Sequence, residues 1–269
     1  MGIFGVFVVW IGISILLIIQ GIHSLKTGEI FPIKDLWQYI LLWGVMLIVM
    51  IVFVLYRRYT QKQFSKVYND ERLHNLRTFE GGQYFYQAPY VTMDKQYIPI
   101  LGHKTMYYTA NFNNIIQKWI SITGFFPLFG VFVKSDNYTV KIKRIKFWSL
   151  HAHYEVYLDN TYIGSLRMQK LFKEKRMKQQ LPFIFDSNKG VYQFNNPYFS
   201  MKTVILKDNV EVFSVERSFF DLSKSQITKR RGEQHNIRIQ KNNEDTYPDE
   251  VLIALYIQVM LNKRTENNG

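Results

Sequence analysis

The chain has 269 residues, of which 47% are hydrophobic, 16% aromatic and 20% charged. This composition excludes disordered and collagen-like proteins. The lack of cysteine excludes disulfide scaffolds, thiolate zinc sites, iron–sulfur clusters and cysteine nucleophiles. Lys and Arg exceed Asp and Glu by 13, and because residues 1–56 carry two charges of each sign, the whole excess lies in residues 57–269.

Two apolar runs open the chain. Residues 3–19 and 37–55 contain no charged side chain, and aromatic residues flank the second run at Trp37, Tyr39, Tyr56 and Tyr59. A helix rises about 1.5 Å per residue, so each run approaches the roughly 30 Å of a hydrocarbon core. We expect residues 1–56 to form a two-helix transmembrane anchor. A cleaved signal peptide is the alternative, but Met1 and Gly2 provide no basic segment before the first run.

Basic residues follow the second run at Arg57, Arg58, Lys62 and Lys66, whereas the connection 23–36 carries two charges of each sign. The positive-inside tendency therefore predicts a multi-pass cell-membrane protein with both termini in the cytoplasm. Its basic part would then lie beside an anionic leaflet, which favours membrane lipid as a partner and disfavours nucleic acid. A solubilising surface charge is the other interpretation of the excess.

The middle of the chain is less regular. Within residues 57–118 we expect a juxtamembrane helix to about Leu76, followed by a linker of irregular or short-strand structure. Residues 119–133 are uncharged but number only 15 and include Pro127, so a third crossing is disfavoured. This stretch suits either the first strands of a core or a wedge that faces lipid.

Strand-like segments alternate with turn signals from Tyr138 onward. Asp159-Asn160 and Asp208-Asn209 each separate two such segments, and Asp186 to Gly190 has the same character. The residues around the two Asp-Asn pairs resemble each other at a separation of 49 positions. We therefore expect two similar hairpins of one meander.

The last apolar segment, 248–261, has the features of a helix. Pro248, Asp249 and Glu250 open it and Lys263 and Arg264 close it, which is the charge order that a helix dipole favours. Gln258 is the strongly polar residue between Val251 and Leu261, so this helix is apolar on all sides yet too short to cross a bilayer. It must be enclosed by protein, and a curled sheet is the simplest enclosure.

The hairpin YEVYLDNTYIGSL and the helix PDEVLIALYIQVML resemble the tubby C-terminal-like superfamily, which includes tubby, LURP-one-related and phospholipid scramblase-like domains. The resemblance covers about residues 119–261. It implies a 12-stranded closed antiparallel barrel around a hydrophobic C-terminal helix, and phosphoinositide recognition by basic residues. The expected fold class is thus a membrane-anchored α+β protein whose β barrel-like domain, residues 119–269, encloses the C-terminal helix. Twelve strands require residues 83–133 to contribute.

Three basic clusters are the candidate lipid-binding residues, because Lys and Arg donors that converge recognise phosphate. The first lies near Phe147 and Trp148, and strand alternation would place Lys141 and Lys143 on one face and Arg144 on the other. Few acidic residues lie within or next to the second and third clusters in the sequence. The clusters comprise Lys141, Lys143, Arg144 and Lys146; Lys170, Lys173, Lys175, Arg176 and Lys178; and Lys229, Arg230 and Arg231. Solvated hairpin tips are the alternative interpretation.

His151, His153 and Glu155 share one strand face and offer two imidazoles and one carboxylate, a ligand set that could hold a metal ion. An exposed strand face is favoured, because three collinear side chains do not converge on one ion. We therefore expect no metal, no cofactor and no catalytic residue. The interpretation is a non-enzymatic, membrane-anchored module that binds anionic phospholipid, or else a membrane or cytoplasmic protein, at the inner leaflet. Scramblase-like lipid translocation and, less favoured, a metal-dependent enzyme are the alternatives.

Overall fold

The computed structural model describes residues 4–28, 36–68, 79–89, 96–122, 129–145, 151–169, 182–197, 200–218, 232–240 and 246–266. Four helices and twelve strands lie in these ranges. The helices are α1 (Phe4–Thr27), α2 (Leu36–Tyr68), α3 (Ile115–Ile122) and α4 (Asp249–Glu266). The strands are β1 (Gln83–Gln87), β2 (Ile98–Gly102), β3 (Met106–Asn111), β4 (Gly130–Ser135), β5 (Thr139–Arg144), β6 (His153–Leu158), β7 (Thr161–Met168), β8 (Phe183–Ser187), β9 (Gly190–Asn195), β10 (Lys202–Lys207), β11 (Val210–Arg217) and β12 (Gln234–Ile239).

Helices α1 and α2 are long and apolar enough to cross a membrane over Val6–Thr27 and Leu36–Tyr56. They pack on each other through Trp10 and Trp43, whose rings stack with centroids 5.6 Å apart. The Trp43 indole N–H donates a hydrogen bond of 2.9 Å to the Ser14 hydroxyl. Most of the large apolar side chains of these helices remain exposed. The expected pair of N-terminal apolar helices is therefore present.

The twelve strands form a closed antiparallel barrel in which each strand pairs with its neighbours in sequence. The barrel closes where β1 pairs with β12, with Gln83 opposite Arg238 and Gln87 opposite Gln234. Strands β1 to β3 lie within residues 57–118, where the sequence suggested a helix followed by irregular or short-strand structure. Strand β4 lies at the end of the 119–133 stretch, with Val131 and Val133 fully buried in the core. Residues 83–133 thus supply the strands that the complete barrel required.

The two Asp-Asn turns join β6 to β7 and β10 to β11, as expected. All four of their residues have positive φ, from 48° to 66°. Two consecutive left-handed residues match the right-handed twist of a tight hairpin, and Asn and Asp tolerate them better than most residues. The two hairpins, 49 residues apart in sequence, also resemble each other in strand pairing. Each shifts register at the equivalent place, after Val156 in one and after Ile205 in the other.

Helix α4 passes through the barrel. Every residue from Val251 to Leu261 is buried, and seven of these eleven residues are 0% exposed. Each strand turns alternate side chains inward, as in the buried Val140, Ile142 and Arg144 of β5. The prediction of an enclosed helix that is apolar on all sides is confirmed.

The two ends of the barrel differ. At one end, which we call the turn end, five connections of two or three residues join β2–β3, β4–β5, β6–β7, β8–β9 and β10–β11. At the other, the loop end, six connections of 6 to 18 residues join β1–β2, β3–β4, β5–β6, β7–β8, β9–β10 and β11–β12. Helix α4 enters at the turn end, where the Ser135 hydroxyl donates to Glu250, and reaches the loop end, where Tyr154 donates to Asn262.

Candidate functional site at the loop end

The charge of the barrel is distributed unequally between its ends. The six loop-end connections contain twelve Lys and Arg and four Asp and Glu, a net charge of +8. The five tight turns and the β12–α4 connection contain three basic and five acidic residues, a net charge of −2. The loop end is therefore the basic pole of a barrel whose opposite pole is weakly acidic.

This distribution follows from the order of the strands. In a meander, alternate connections lie at alternate ends, so β5–β6, β7–β8 and β11–β12 all connect at the same end. These three connections carry the predicted basic residues that follow Arg144. All nine of these residues lie outside the described ranges. They are Lys146, Lys170, Lys173, Lys175, Arg176, Lys178, Lys229, Arg230 and Arg231. The described strand ends that flank them all belong to the loop end.

The three described residues of the first cluster separate as the alternation predicted. Lys141 and Lys143 point outward from β5, and the Lys143 ammonium lies 4.7 Å from the centroid of the Tyr157 ring. Arg144 points inward and is only 8% exposed. The cluster therefore divides into an outer pair on the barrel wall and one arginine in the barrel mouth.

Arg144 belongs to a polar layer above the C-terminal part of α4. Its guanidinium carbon lies 5.9 Å from the centroid of the Tyr154 ring. The Tyr154 hydroxyl donates a 2.7 Å hydrogen bond to Asn262, whose amide donates to the Gln258 carbonyl at 2.9 Å. Burial raises the pKa of the Tyr154 hydroxyl, so it stays neutral. A cation here is favourable because the carbonyl end of a helix carries partial negative charge.

A second polar group in the same mouth centres on Arg217, whose side chain is 7% exposed. Its guanidinium donates to the Ser200 carbonyl at 3.0 Å and lies 3.6 Å from the Glu233 carboxylate. The other Glu233 oxygen lies 3.7 Å from Nε2 of the fully buried His235. Desolvation first, and repulsion by Arg217 second, lower the pKa of the nearby Lys263 to about 8. An anion that approaches such a buried lysine stabilises its charged form.

Sequence reasoning did not assign Arg217, Glu233 or His235 to a site. Arg217 ends one strand and His235 lies near the start of the next, and nothing in their spacing indicates that both face the end of a helix. Their pairing across β11 and β12 is what brings them together, with Arg217 opposite His235 in the register. Lys263 was expected at the helix terminus, but not beside a second cation.

The turn end has a different polar network, which closes the barrel around the start of α4. Tyr84 donates a 2.6 Å hydrogen bond to Asp249, and Ser135 donates a 2.8 Å bond to Glu250. Both carboxylates are almost fully buried, and His103 lies 3.8 Å from Asp249. Burial, followed by the contact with Asp249, raises the pKa of the Tyr84 hydroxyl. Carboxylates at a helix N-terminus stabilise the helix, so this network accounts for the acidic start of α4.

The outer wall carries a polar groove of about 650 Å³ across β10, β11, β12 and β1. Its charged residues are two cations and two carboxylates, with Lys202 and Glu211 paired at 3.6 Å. Because these charges cancel, the groove attracts an anion much more weakly than the loop end does. The charged lining residues are Lys202, Arg238, Glu211 and Glu216.

His153 and Glu155 share the outer face of β6, and His151 precedes this strand. Across the described ranges, no three His, Cys, Asp or Glu side chains are grouped so that they could hold a metal ion. Glu155 instead accepts a 2.8 Å hydrogen bond from the Tyr157 hydroxyl. The hypothesis of a metal-dependent enzyme thus gains nothing from this strand.

No protein-family model, no curated protein and no solved structure matches this chain.

Proposed function

We propose that the protein is a non-enzymatic, membrane-anchored module whose barrel binds anionic phospholipid through its loop end. The carrying observation is that nine of the twelve predicted basic residues belong to connections at one end of the barrel, and that these connections have a net charge of +8. Each basic residue close to an anionic leaflet contributes about 1 kcal/mol to binding. Several such residues on one pole therefore suffice for stable contact, whereas the same charges scattered over the surface would not.

The two apolar helices support the membrane as the location of this encounter. In this proposal α1 and α2 cross the membrane, and both termini and the barrel are cytoplasmic, as the basic residues after the second run favour. A tethered barrel meets the same leaflet at high effective concentration, so weak electrostatic affinity is enough. The tubby-like relationship is part of the same proposal, and the closed barrel around α4 is the feature that supports it.

Vesicle flotation of the fragment 79–269 tests the proposal. This fragment contains all twelve strands and α4, hence the complete barrel core. We expect it to float with vesicles of phosphatidylcholine and phosphatidylglycerol but not with phosphatidylcholine alone, and to dissociate as salt is added, because screening weakens surface contacts. Equal binding to both vesicles, or none at low salt, would contradict the proposal and direct the search to protein partners.

A matched pair of variants locates the surface. The loop-end variant Arg230→Glu/Arg231→Glu and the control Lys134→Glu/Lys189→Glu change the net charge by the same amount. Lys134 is exposed at the end of β4 and Lys189 lies in the β8–β9 turn, so the control alters the turn end. Removing two cations from the contact weakens binding by roughly 30-fold or more. Equal losses in both variants would show that net charge matters but the loop end does not.

A further inference from the structure

Helix α3, in the β3–β4 connection at the loop end, presents two adjacent isoleucines to solvent. Ile115 is 71% exposed and Ile116 is 62% exposed. A third isoleucine, Ile145, is 45% exposed and directly follows the last residue of β5. We call these three residues the apolar rim. Single exposed apolar residues are common on soluble proteins, but an apolar group on a basic surface indicates a contact.

The rim is held in place by hydrogen bonds. The Asn114 side chain accepts a 2.7 Å bond from the Gln117 backbone N–H and so caps the start of α3, and the Gln117 side chain accepts a 2.6 Å bond from the Asn113 backbone N–H. The Asn113 side-chain amide donates a 2.7 Å bond to the Arg144 backbone carbonyl. This bond joins the start of α3 to the residue before Ile145. Gln117 is buried, so the helix cannot turn its isoleucines inward without breaking these bonds.

Most of the exposed large apolar side chains outside α1 and α2 lie at this end of the barrel. Outside α1 and α2, eight large apolar residues of the described chain are exposed, and five of them lie in loop-end connections. The other three, Tyr162, Val191 and Val210, lie in strands within two residues of the tight turns of the opposite end. The apolar rim therefore lies on the same pole as the net charge of +8. The five residues are Tyr97, Ile115, Ile116, Ile145 and Met201.

We propose that the apolar rim enters the headgroup–acyl boundary of an anionic bilayer while basic residues of the loop-end connections contact the phosphates. This inference rests on the proposed function and identifies the apolar rim as the part of the barrel that inserts into the bilayer. A bilayer is favoured over a protein partner because the charge of this pole complements an anionic leaflet, and because the same chain carries two helices able to cross one. Basic and apolar side chains on one surface are typical of proteins that lie in the membrane interface.

The chain has no cysteine, so single cysteines can be labelled in the full-length protein. We would attach the environment-sensitive dye NBD at Ile116→Cys and, as a control, at Val210→Cys. Val210 is 51% exposed and follows the β10–β11 turn at the opposite end. Both labelled proteins are reconstituted into vesicles of phosphatidylcholine with and without phosphatidylglycerol, whose two faces are alike, so random orientation does not affect the comparison.

We expect the dye at position 116 to shift its emission to the blue, and to be quenched by spin-labelled acyl chains, when phosphatidylglycerol is present. The dye at position 210 should stay accessible to aqueous iodide in both vesicles. In flotation of fragment 79–269, Ile115→Glu/Ile116→Glu should weaken binding roughly 30-fold or more, since both side chains leave the apolar phase.

Three results would overturn the inference. If position 116 is as accessible to iodide as position 210 while the wild-type fragment still floats with anionic vesicles, the rim does not insert although the proposed function holds. If position 116 is shielded from iodide but not quenched by acyl chains, and the shielding depends on protein concentration, a second copy covers the rim. If neither insertion nor flotation is observed, the inference and the proposed function both fail.

Discussion

Replacing Ile253 by alanine tests whether α4 is the core of the barrel. Ile253 is 0% exposed in a helix that the barrel surrounds. Truncating a buried isoleucine costs about 2 to 5 kcal/mol, and the larger values apply where the surroundings cannot close on the cavity. The wall around α4 is hydrogen-bonded strand to strand in a complete ring, which resists such closure. We therefore expect a loss of about 4 kcal/mol in the free energy of unfolding.

Urea titration of fragment 79–269, followed by far-ultraviolet circular dichroism, measures this loss. Domains have a total stability of about 5 to 15 kcal/mol, so the variant should still fold in water. With a denaturant slope of about 2 kcal/mol per molar urea, the midpoint should fall by about 2 M. The matched control is Ile115→Ala, the same substitution on α3 at 71% exposure, which should change stability by less than about 0.5 kcal/mol. Equal shifts for the two variants would refute an enclosed α4.

Two further predictions concern the loop end and a hairpin turn. The pKa of Lys263 is lowered to about 8 from 10.5, so the folded state binds fewer protons than the unfolded state between these values, and stability should rise with pH through this window. Lys263→Met should flatten that rise in the melting temperature from pH 8 to 10, and an unchanged slope would show that the ammonium is not desolvated. Asn160 has φ of 66°, so Asn160→Val should cost about 1 to 2 kcal/mol while Asn160→Gly is tolerated. Thermal melting of the two variants checks this, and equal stability would contradict a left-handed turn.

Local features were readable from the residues alone. The Asp-Asn pairs predicted two hairpin turns because few residues tolerate consecutive positive φ values. The apolar segment 251–261 predicted an enclosed helix because it leaves no polar face for water. The opposite directions of Lys143 and Arg144 followed from the two-residue period of a strand.

The sequence left residues 83–111 open between irregular structure and short strands, and the reason it could not place β1 to β3 is physical. They have five or six residues, and β2 contains Pro99, so their local pattern resembles irregular structure. Strand β1 becomes a strand because β12, about 150 residues later, satisfies its backbone hydrogen bonds. Such pairing depends on closure of the whole barrel, which no local window of sequence contains.

The same distinction applies to the candidate site. Composition shows that the chain is basic, and spacing shows three clusters separated by tens of residues. That nine of their twelve residues belong to connections at one end follows from the alternation of connections in a closed twelve-stranded meander. Likewise, Arg217 and His235 meet at the end of α4 because β11 and β12 are paired in that register. Turns and helix burial are local consequences of residue type, whereas the shared pole requires long-range pairing to bring distant segments to one end of the barrel.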